Sequence, residues 1–144
     1  GLVAALALGA DGINMGTRFC ATQEAQIHPN VKQAYVDNDE RGTHLIFRKF
    51  KNTARVGKSE VSDEVVRRLA EPDSKFKDVA ELVAGSAGRE LLKTGDLSKG
   101  VFWASMVQGL IHDIPTVQEL VDRIIGEADA ILDDRLVKMR ASRH

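Results

Sequence analysis

A strand that ends in glycine and threonine can hold an anion. The segment Gly9-Ala10-Asp11-Gly12-Ile13-Asn14-Met15-Gly16-Thr17-Arg18-Phe19 has that form. Gly16 and Thr17 expose consecutive backbone N–H groups with no bulky side chain in front of them, and the threonine hydroxyl adds another donor. Ahead of a helical turn, such a nest suits a phosphate. In (βα)8 barrels the phosphate site is commonly built from the loops after the last two strands. The same pair also suits an ordinary strand-to-helix turn, and these residues alone leave both readings open.

Other residues carry weaker chemistry. His28, placed before Pro29, reads as a turn histidine bonded to backbone rather than as a base or a ligand. Arg48-Lys49-Phe50-Lys51, with Arg55 and Lys58 beyond, is a local basic cluster of a kind that nucleic-acid proteins use. With a net charge of -1 and 5% aromatic residues, the chain has no general pull on nucleic acid or an anionic membrane. The cluster therefore reads as a solvated strand edge, where charge discourages edge pairing. Asp133-Asp134 lack further carboxylates at calcium-ligand spacing and read as solvent-facing. Cys20 reads as a small buried packing residue, and Trp103 as core or interface. There is no nucleophile–base pair and no zinc spacing, and no metal is expected.

The elements that must position the Gly-Thr loop follow from periodicity. Residues 1–8 read as an Ala/Leu-rich helix ended by Gly9, apolar all round and so expected to be buried. Gly12–Gly16 reads as a short buried strand. His28-Pro29-Asn30 is a turn before a polar helix over about 31–39. Thr43–Phe50 alternates as a strand, and Thr53–Val56 is its partner or an extended loop. Ser62 is the expected N-cap of a helix that stops before Pro72, and helices are expected over 77–84, 87–94 and 103–112. Thr116-Val117-Gln118-Glu119 matches a capping box. From there Val117, Leu120, Ile124, Ala128, Ile131 and Met139 form an apolar stripe along about six turns. The tail from Arg140 to His144 is expected to fray.

The chain's 144 residues, 43% hydrophobic and 28% charged, fit one compact domain with a real core. One cysteine excludes an internal disulfide and suits the cytoplasm. No apolar run approaches the roughly 18 residues that span a bilayer. With no initiator methionine, the chain is expected to start partway through a larger gene product.

Leu6-Ala7-Leu8-Gly9 through Gly16-Thr17-Arg18-Phe19, followed by Ala21-Thr22-Gln23-Glu24, resembles the last barrel strand of the nitronate monooxygenase (2-nitropropane dioxygenase) family. The resemblance continues through His28-Pro29 with Lys32, Asn52-Thr53-Ala54-Arg55-Val56, and Met106-Val107-Gln108-Gly109-Leu110-Ile111. It is strongest for a bacterial branch that includes NADH:quinone reductases.

The resemblance implies an α/β chain: the last helix and strand of a TIM (βα)8 barrel, residues 1–24, then a mostly helical α+β cap, residues 25–112. Residues 113–144 would form a helix that returns to the barrel. Gly16 and Thr17 would hold the phosphate of FMN, Met15 would lie close to the cofactor, and Gln108 would be a polar wall of the active site. The implied activity is oxidation of an alkyl nitronate by dioxygen, with NADH:quinone reduction as the alternative. A non-catalytic, self-associating fragment, a homo-oligomer, is a reading of another class. Small molecules are the expected partners, with neither nucleic acid nor membrane. The family's Gly-rich loop and histidine base are expected upstream, and none of His28, His44, His112 and His144 matches that base. Phe102-Trp103-Ala104-Ser105 stands where relatives tend toward Trp-Ser-Ala-Gly, and Ser105 in place of glycine would crowd a close approach to the cofactor.

Overall fold

Helix signals and a lack of strand partners shape the first part of the chain. In the computed structural model, which describes residues 1–141, the chain forms two compact units. One comprises Gly1–Met15 with the residues from Pro115 onward, and the other comprises Gly16–Ile114. The divisions at Met15/Gly16 and Ile114/Pro115 differ from those expected near residues 24 and 112, and they place the 16–24 segment in the second unit.

In the first unit, α1 (Leu2–Ala7) ends where Gly9 takes a left-handed φ of +95°. Its expected burial is not found: no residue of α1 is buried, and Leu6 and Leu8 are 46% and 90% exposed. α6 meets α1 on one side, where Leu2 and Val3 are half-buried, and leaves Leu6 and Leu8 open. The expected strand at 12–16 is also not found, and the segment is irregular. A strand requires a neighbour for its N–H and C=O groups, and none pairs with it here.

The capping box at Thr116 forms as expected. Thr116 Oγ1 accepts from Glu119 N–H at 3.1 Å, and Glu119 Oε2 accepts from Thr116 N–H at 2.8 Å. It starts α6 (Val117–Ala130), which runs on through a π-helical stretch (Ile131–Leu136) into α7 (Val137–Ala141). Leu120 and Ala128 of the stripe are buried, whereas Met139 is exposed. Thr116→Ala removes one half of the box and is expected to cost about 1 kcal/mol, read as a lower urea midpoint. The end of the tail expected to fray, residues 142–144, lies outside the described residues.

The second unit holds the hydrophobic core. α2 (Thr17–Cys20) is a single turn, and α3 (Pro29–Asp37) begins with proline at its first position. β1 (Thr43–Ile46) and β2 (Ala54–Gly57) pair antiparallel, with Thr43 opposite Gly57 and Ile46 opposite Ala54. β1 stops short of the expected Phe50 because Phe47 turns left-handed, at φ 62°. For a bulky residue that conformation costs about 1–3 kcal/mol and must be held by its surroundings.

α4 (Glu60–Ala70) is capped by Ser59, one turn before the expected Ser62. Ser62 instead completes the box, its Oγ accepting from Ser59 N–H at 2.8 Å. On this helix the Glu64 carboxylate accepts from Arg67 and Arg68, and those bonds hold its pKa at about 2, well below the ordinary 4.5. A depressed folded-state pKa adds stability that is complete above the unfolded value and lost as pH falls through the folded one. Glu64→Gln is therefore expected to flatten the loss of stability between pH 4.5 and 2, measured by denaturant unfolding across that range.

The helix expected over 77–84 is replaced by a 3-10 turn, Phe76–Asp78, and further turns. There Asp78 Oδ2 accepts from Lys75 N–H at 2.7 Å. α5 (Gly85–Thr94) then ends at Gly95, at φ +74°. The helix expected over 103–112 is also replaced. Phe102–Ala104 runs beside β2, bridging Val56 to Trp103, and only Met106–Leu110 is helical, as a 3-10 segment.

Two buried clusters result. Val31, Tyr35, Leu91, Phe102 and Ile111 form one, and Ile46, Val56, Val65, Val79 and Val101 the other. Among the described residues no helix is long and apolar enough to cross a membrane.

Candidate functional site

The Gly-Thr loop meets the 105–110 segment in space. Gly16 is the N-cap of α2, and its carbonyl accepts from Phe19 and Cys20 N–H at 3.0 and 3.1 Å. The N–H groups of Thr17 and Arg18 open the helix and have no intrahelical acceptor. A Cβ added to Gly16 would meet nothing within 4 Å, so the space beside the start of α2 is open. Thr17 Oγ1 accepts from the Ser105 N–H at 3.0 Å across 88 residues of sequence. Because the oxygen is the acceptor, the hydroxyl proton is left for a further partner. Met15, on the other side of the unit boundary, lines a cavity of about 190 Å3 with Leu2, Val3, Ile13, Ile124 and Ala128.

Arg18 fastens the turn. Its guanidinium donates to Asp113 Oδ1 at 3.3 Å, Asp113 O at 3.0 Å and Ala21 O at 3.0 Å. Its Nε is buried with no partner among the described residues. Neither Arg18 nor Ser105 stands out as a contact in the sequence. Their bonds link residues 95 and 88 positions apart, which periodicity does not reveal.

Ser105 does two things with separate groups. Its N–H engages Thr17, and its Oγ accepts from Val107 N–H at 3.2 Å, capping the 3-10 segment. The side chain expected to crowd a cofactor is thus occupied in the cap. Gln108 is fully buried, its Nε2 donating to Asp39 O at 3.1 Å, while its Oε1 has no partner among the described residues. A Cβ on Gly109 would come within 2.7 Å of Glu40 N, so glycine lets this segment lie on the 39–42 turn. Met106, Val107 and Leu110 are the exposed apolar side chains of the segment.

Trp103 is 62% exposed and is not core, although its carbonyl accepts from the buried Tyr35 hydroxyl at 2.9 Å. An apolar cavity of about 310 Å3 opens beside it, lined by Cys20, Ile27, Leu92, Val101 and Phe102. Burial pushes the Cys20 thiol upward, partly offset by its hydrogen bond with Tyr35. Burial, together with Cys20, also pushes the Tyr35 phenol upward. Both stay protonated near neutrality, so Cys20 is a poor nucleophile. His28 acts as expected of a turn histidine: its Nδ1 accepts from Asn30 N–H at 3.2 Å. His44 Nε2 instead lies 2.6 Å from Asp63 Oδ1, away from the Gly-Thr loop in the fold of the β1–β2 pair onto α4. Asp133 and Asp134 are exposed, and Asp134 pairs with Lys138.

The family model described as nitronate monooxygenase matches residues 1–127. The chain is 30% identical to a 5-hydroxy-7a-methyl-1-oxo-octahydro-1H-indene-4-carboxyl-CoA dehydrogenase of Rhodococcus jostii, over 92% of this chain and 48% of that protein. It is 26% identical to a nitronate monooxygenase of Neurospora crassa, over 98% of this chain and 37% of that protein. Among solved structures, FabK from Thermotoga maritima superposes with a TM-score of 0.80 and 28% identity, covering 97% of this chain and 42% of that one. The chain thus spans less than half the length of each of these relatives.

Proposed function

This chain belongs to the nitronate monooxygenase family, and on that premise we propose that it is the C-terminal portion of an FMN-dependent barrel oxidoreductase that oxidises alkyl nitronates with dioxygen. The observation that carries the reading is the 3.0 Å bond between Thr17 Oγ1 and Ser105 N–H. It holds the Gly-Thr loop beside the segment around Met106–Gln108, which the family resemblance also brings to the cofactor.

The residues present fit a flavin phosphate. Gly16 leaves space for phosphate oxygens, two backbone N–H groups open α2 beside that space, and the Thr17 hydroxyl retains a proton to donate. FMN supplies the redox chemistry that no side chain here provides. The chain's own part is to anchor it and to cover it. Arg18 keeps the turn in place through Asp113, and Ser105 aligns the threonine. Exposed Met106 and Val107 exclude water beside the bound substrate, and Gln108 holds their backbone on the 39–42 turn. The proton-accepting base belongs to the upstream portion of the full-length protein.

A second reading, dehydrogenation of a CoA thioester, has its own support. The Rhodococcus jostii relative is named for such a substrate, and a basic hairpin adjoins Trp103 through Val56. Full-length protein loaded with FMN separates the readings when offered propionate 3-nitronate with dioxygen, an acyl-CoA with an artificial electron acceptor, and NADH with a quinone. Oxygen uptake with the nitronate is the expected result. Turnover of the quinone pair alone overturns the monooxygenase reading.

A further inference from the structure

The β1–β2 hairpin carries a charge unlike that of the whole chain. Between Thr43 and Lys58 stand Arg48, Lys49, Lys51, Arg55 and Lys58 with no aspartate or glutamate, in a chain of net charge -1. Arg48, Lys51 and Lys58 are exposed. No hydrogen bond or ion pair engages their side chains among the described residues. Lys49 differs, since its Nζ donates to Glu71 O at 3.0 Å and Ser74 Oγ at 2.6 Å, tying the hairpin tip to the loop after α4.

The tip is also aromatic and fixed. Phe47, Phe50 and Phe76 pack with ring centroids 5.7 to 6.4 Å apart, and Phe76 remains 53% exposed. Left-handed residues at both ends of the tip turn, Phe47 and Lys51, hold Arg48 and Lys49 between them. A cleft of about 270 Å3 lies beside them, walled by Leu45, Phe47, Val66 and Leu69 and edged by Arg48 and Lys49. Cations next to an apolar cleft and an open aromatic ring suit a flat heterocycle that carries phosphates.

The hairpin leads from that tip to the candidate site. β2 pairs with Trp103 through Val56, and Ser105, two residues on, bonds Thr17. Val56 is six positions on from Phe50, at most about 20 Å of chain. The tip therefore stands within reach of a long ligand that has its reactive end near Thr17 and Ser105 and its phosphates remote from the reacting bond.

We propose that the β1–β2 tip binds the phosphorylated adenosine end of a CoA thioester, its phosphates on Arg48 and Lys51 and its adenine against Phe76. The proposal rests on the thioester reading above and gives the substrate's handle a place. A CoA tail carries a 3′-phosphate beyond the pyrophosphate that NADH has, which matches a tip with three cations, Arg48, Lys49 and Lys51, and no acid. A nucleic-acid strand would call for a longer basic track and several stacking rings, and the local cluster stops at Lys58.

Isothermal titration of the FMN-loaded full-length protein with coenzyme A, adenosine 3′,5′-bisphosphate and ADP-ribose tests it. Coenzyme A and the bisphosphate are expected to bind, and Arg48→Gln with Lys51→Gln to weaken both roughly tenfold or more. Both substitutions are on exposed side chains, and an unchanged flavin content shows that the protein remains folded. Phe76→Ala is expected to weaken the bisphosphate and leave inorganic phosphate unaffected. No binding by the wild type, equal affinity in the double variant, or ADP-ribose binding as tightly as the bisphosphate overturns the proposal. Acyl-CoA turnover, measured in parallel, keeps the two ideas apart. Turnover with a KM that the double variant does not change sinks the hairpin and leaves the thioester reading standing. Tip binding without turnover does the reverse.

Discussion

Full-length protein carrying Gly16→Val is expected to lose FMN on purification, or to bind it roughly ten- to hundredfold more weakly than the wild type. The reasoning is geometric. A Cβ at position 16 meets no protein atom within 4 Å, so the substitution does not disturb the packing of this chain. It does put side-chain bulk into the open space beside the start of α2, where a phosphate would sit. Loss of one hydrogen bond to a charged group is worth about 1.5–3 kcal/mol, which sets the expected range. Thr17→Ala should weaken FMN by a similar amount, but it also strips the Ser105 N–H of its acceptor. Thr17→Ser keeps the hydroxyl and is expected to restore most of the affinity. Flavin absorbance per protein, followed by titration of the flavin-free protein, reads all three variants.

The second large effect is on stability. Gly57→Ala is expected to destabilise the second unit by about 3 kcal/mol, at the upper end for overpacking. The new Cβ would stand 2.1 Å from Phe102 Cζ and 2.3 Å from Cε2. That ring cannot withdraw easily: Phe102 is buried, and Tyr35 meets it edge-on at 5.5 Å. The backbone cannot yield either, because Gly57 N–H donates to Phe102 O at 2.9 Å. Adding Phe102→Leu to Gly57→Ala removes the colliding end of the ring. The paired variant is expected to be less damaged than the sum of the two single changes, because the residues share one contact. Urea midpoints of the three variants give the coupling directly.

Local signals made much of this fold legible in the sequence. Thr116 and Glu119 specify α6 with their own side chains, Pro29 fits the first turn of α3, and Gly9 and Gly95 take the left-handed conformations that end helices. Where a partner decides the structure, the sequence misled. Gly12–Gly16 has a strand's composition but no neighbouring strand among the described residues, and α1 is covered by α6 on one side alone, so none of its residues is buried. The Phe102–Ala104 segment pairs with β2 instead of turning helical. Its buried, exposed, buried alternation is the period-two signal that the apolar run concealed. Ser59 caps α4 one turn before the expected Ser62, and only the reciprocal bonds between them reveal it.

The candidate site divides the same way. Gly16 and Thr17 can be named as candidates from the sequence because a Gly-Thr turn is a local backbone feature. Ser105 and Arg18 gain their roles from contacts that only the folded chain makes. Gln108, expected as a wall, has its side chain buried on Asp39, and Met106, Val107 and Leu110 are the exposed apolar groups of that segment.

The most direct measurement mixes FMN-loaded full-length protein with propionate 3-nitronate in the absence of oxygen and then admits air. The account predicts that the nitronate bleaches the flavin absorbance and that air restores it while oxygen is consumed. A flavin left oxidised by the nitronate, yet bleached by NADH and restored only by a quinone, would contradict it.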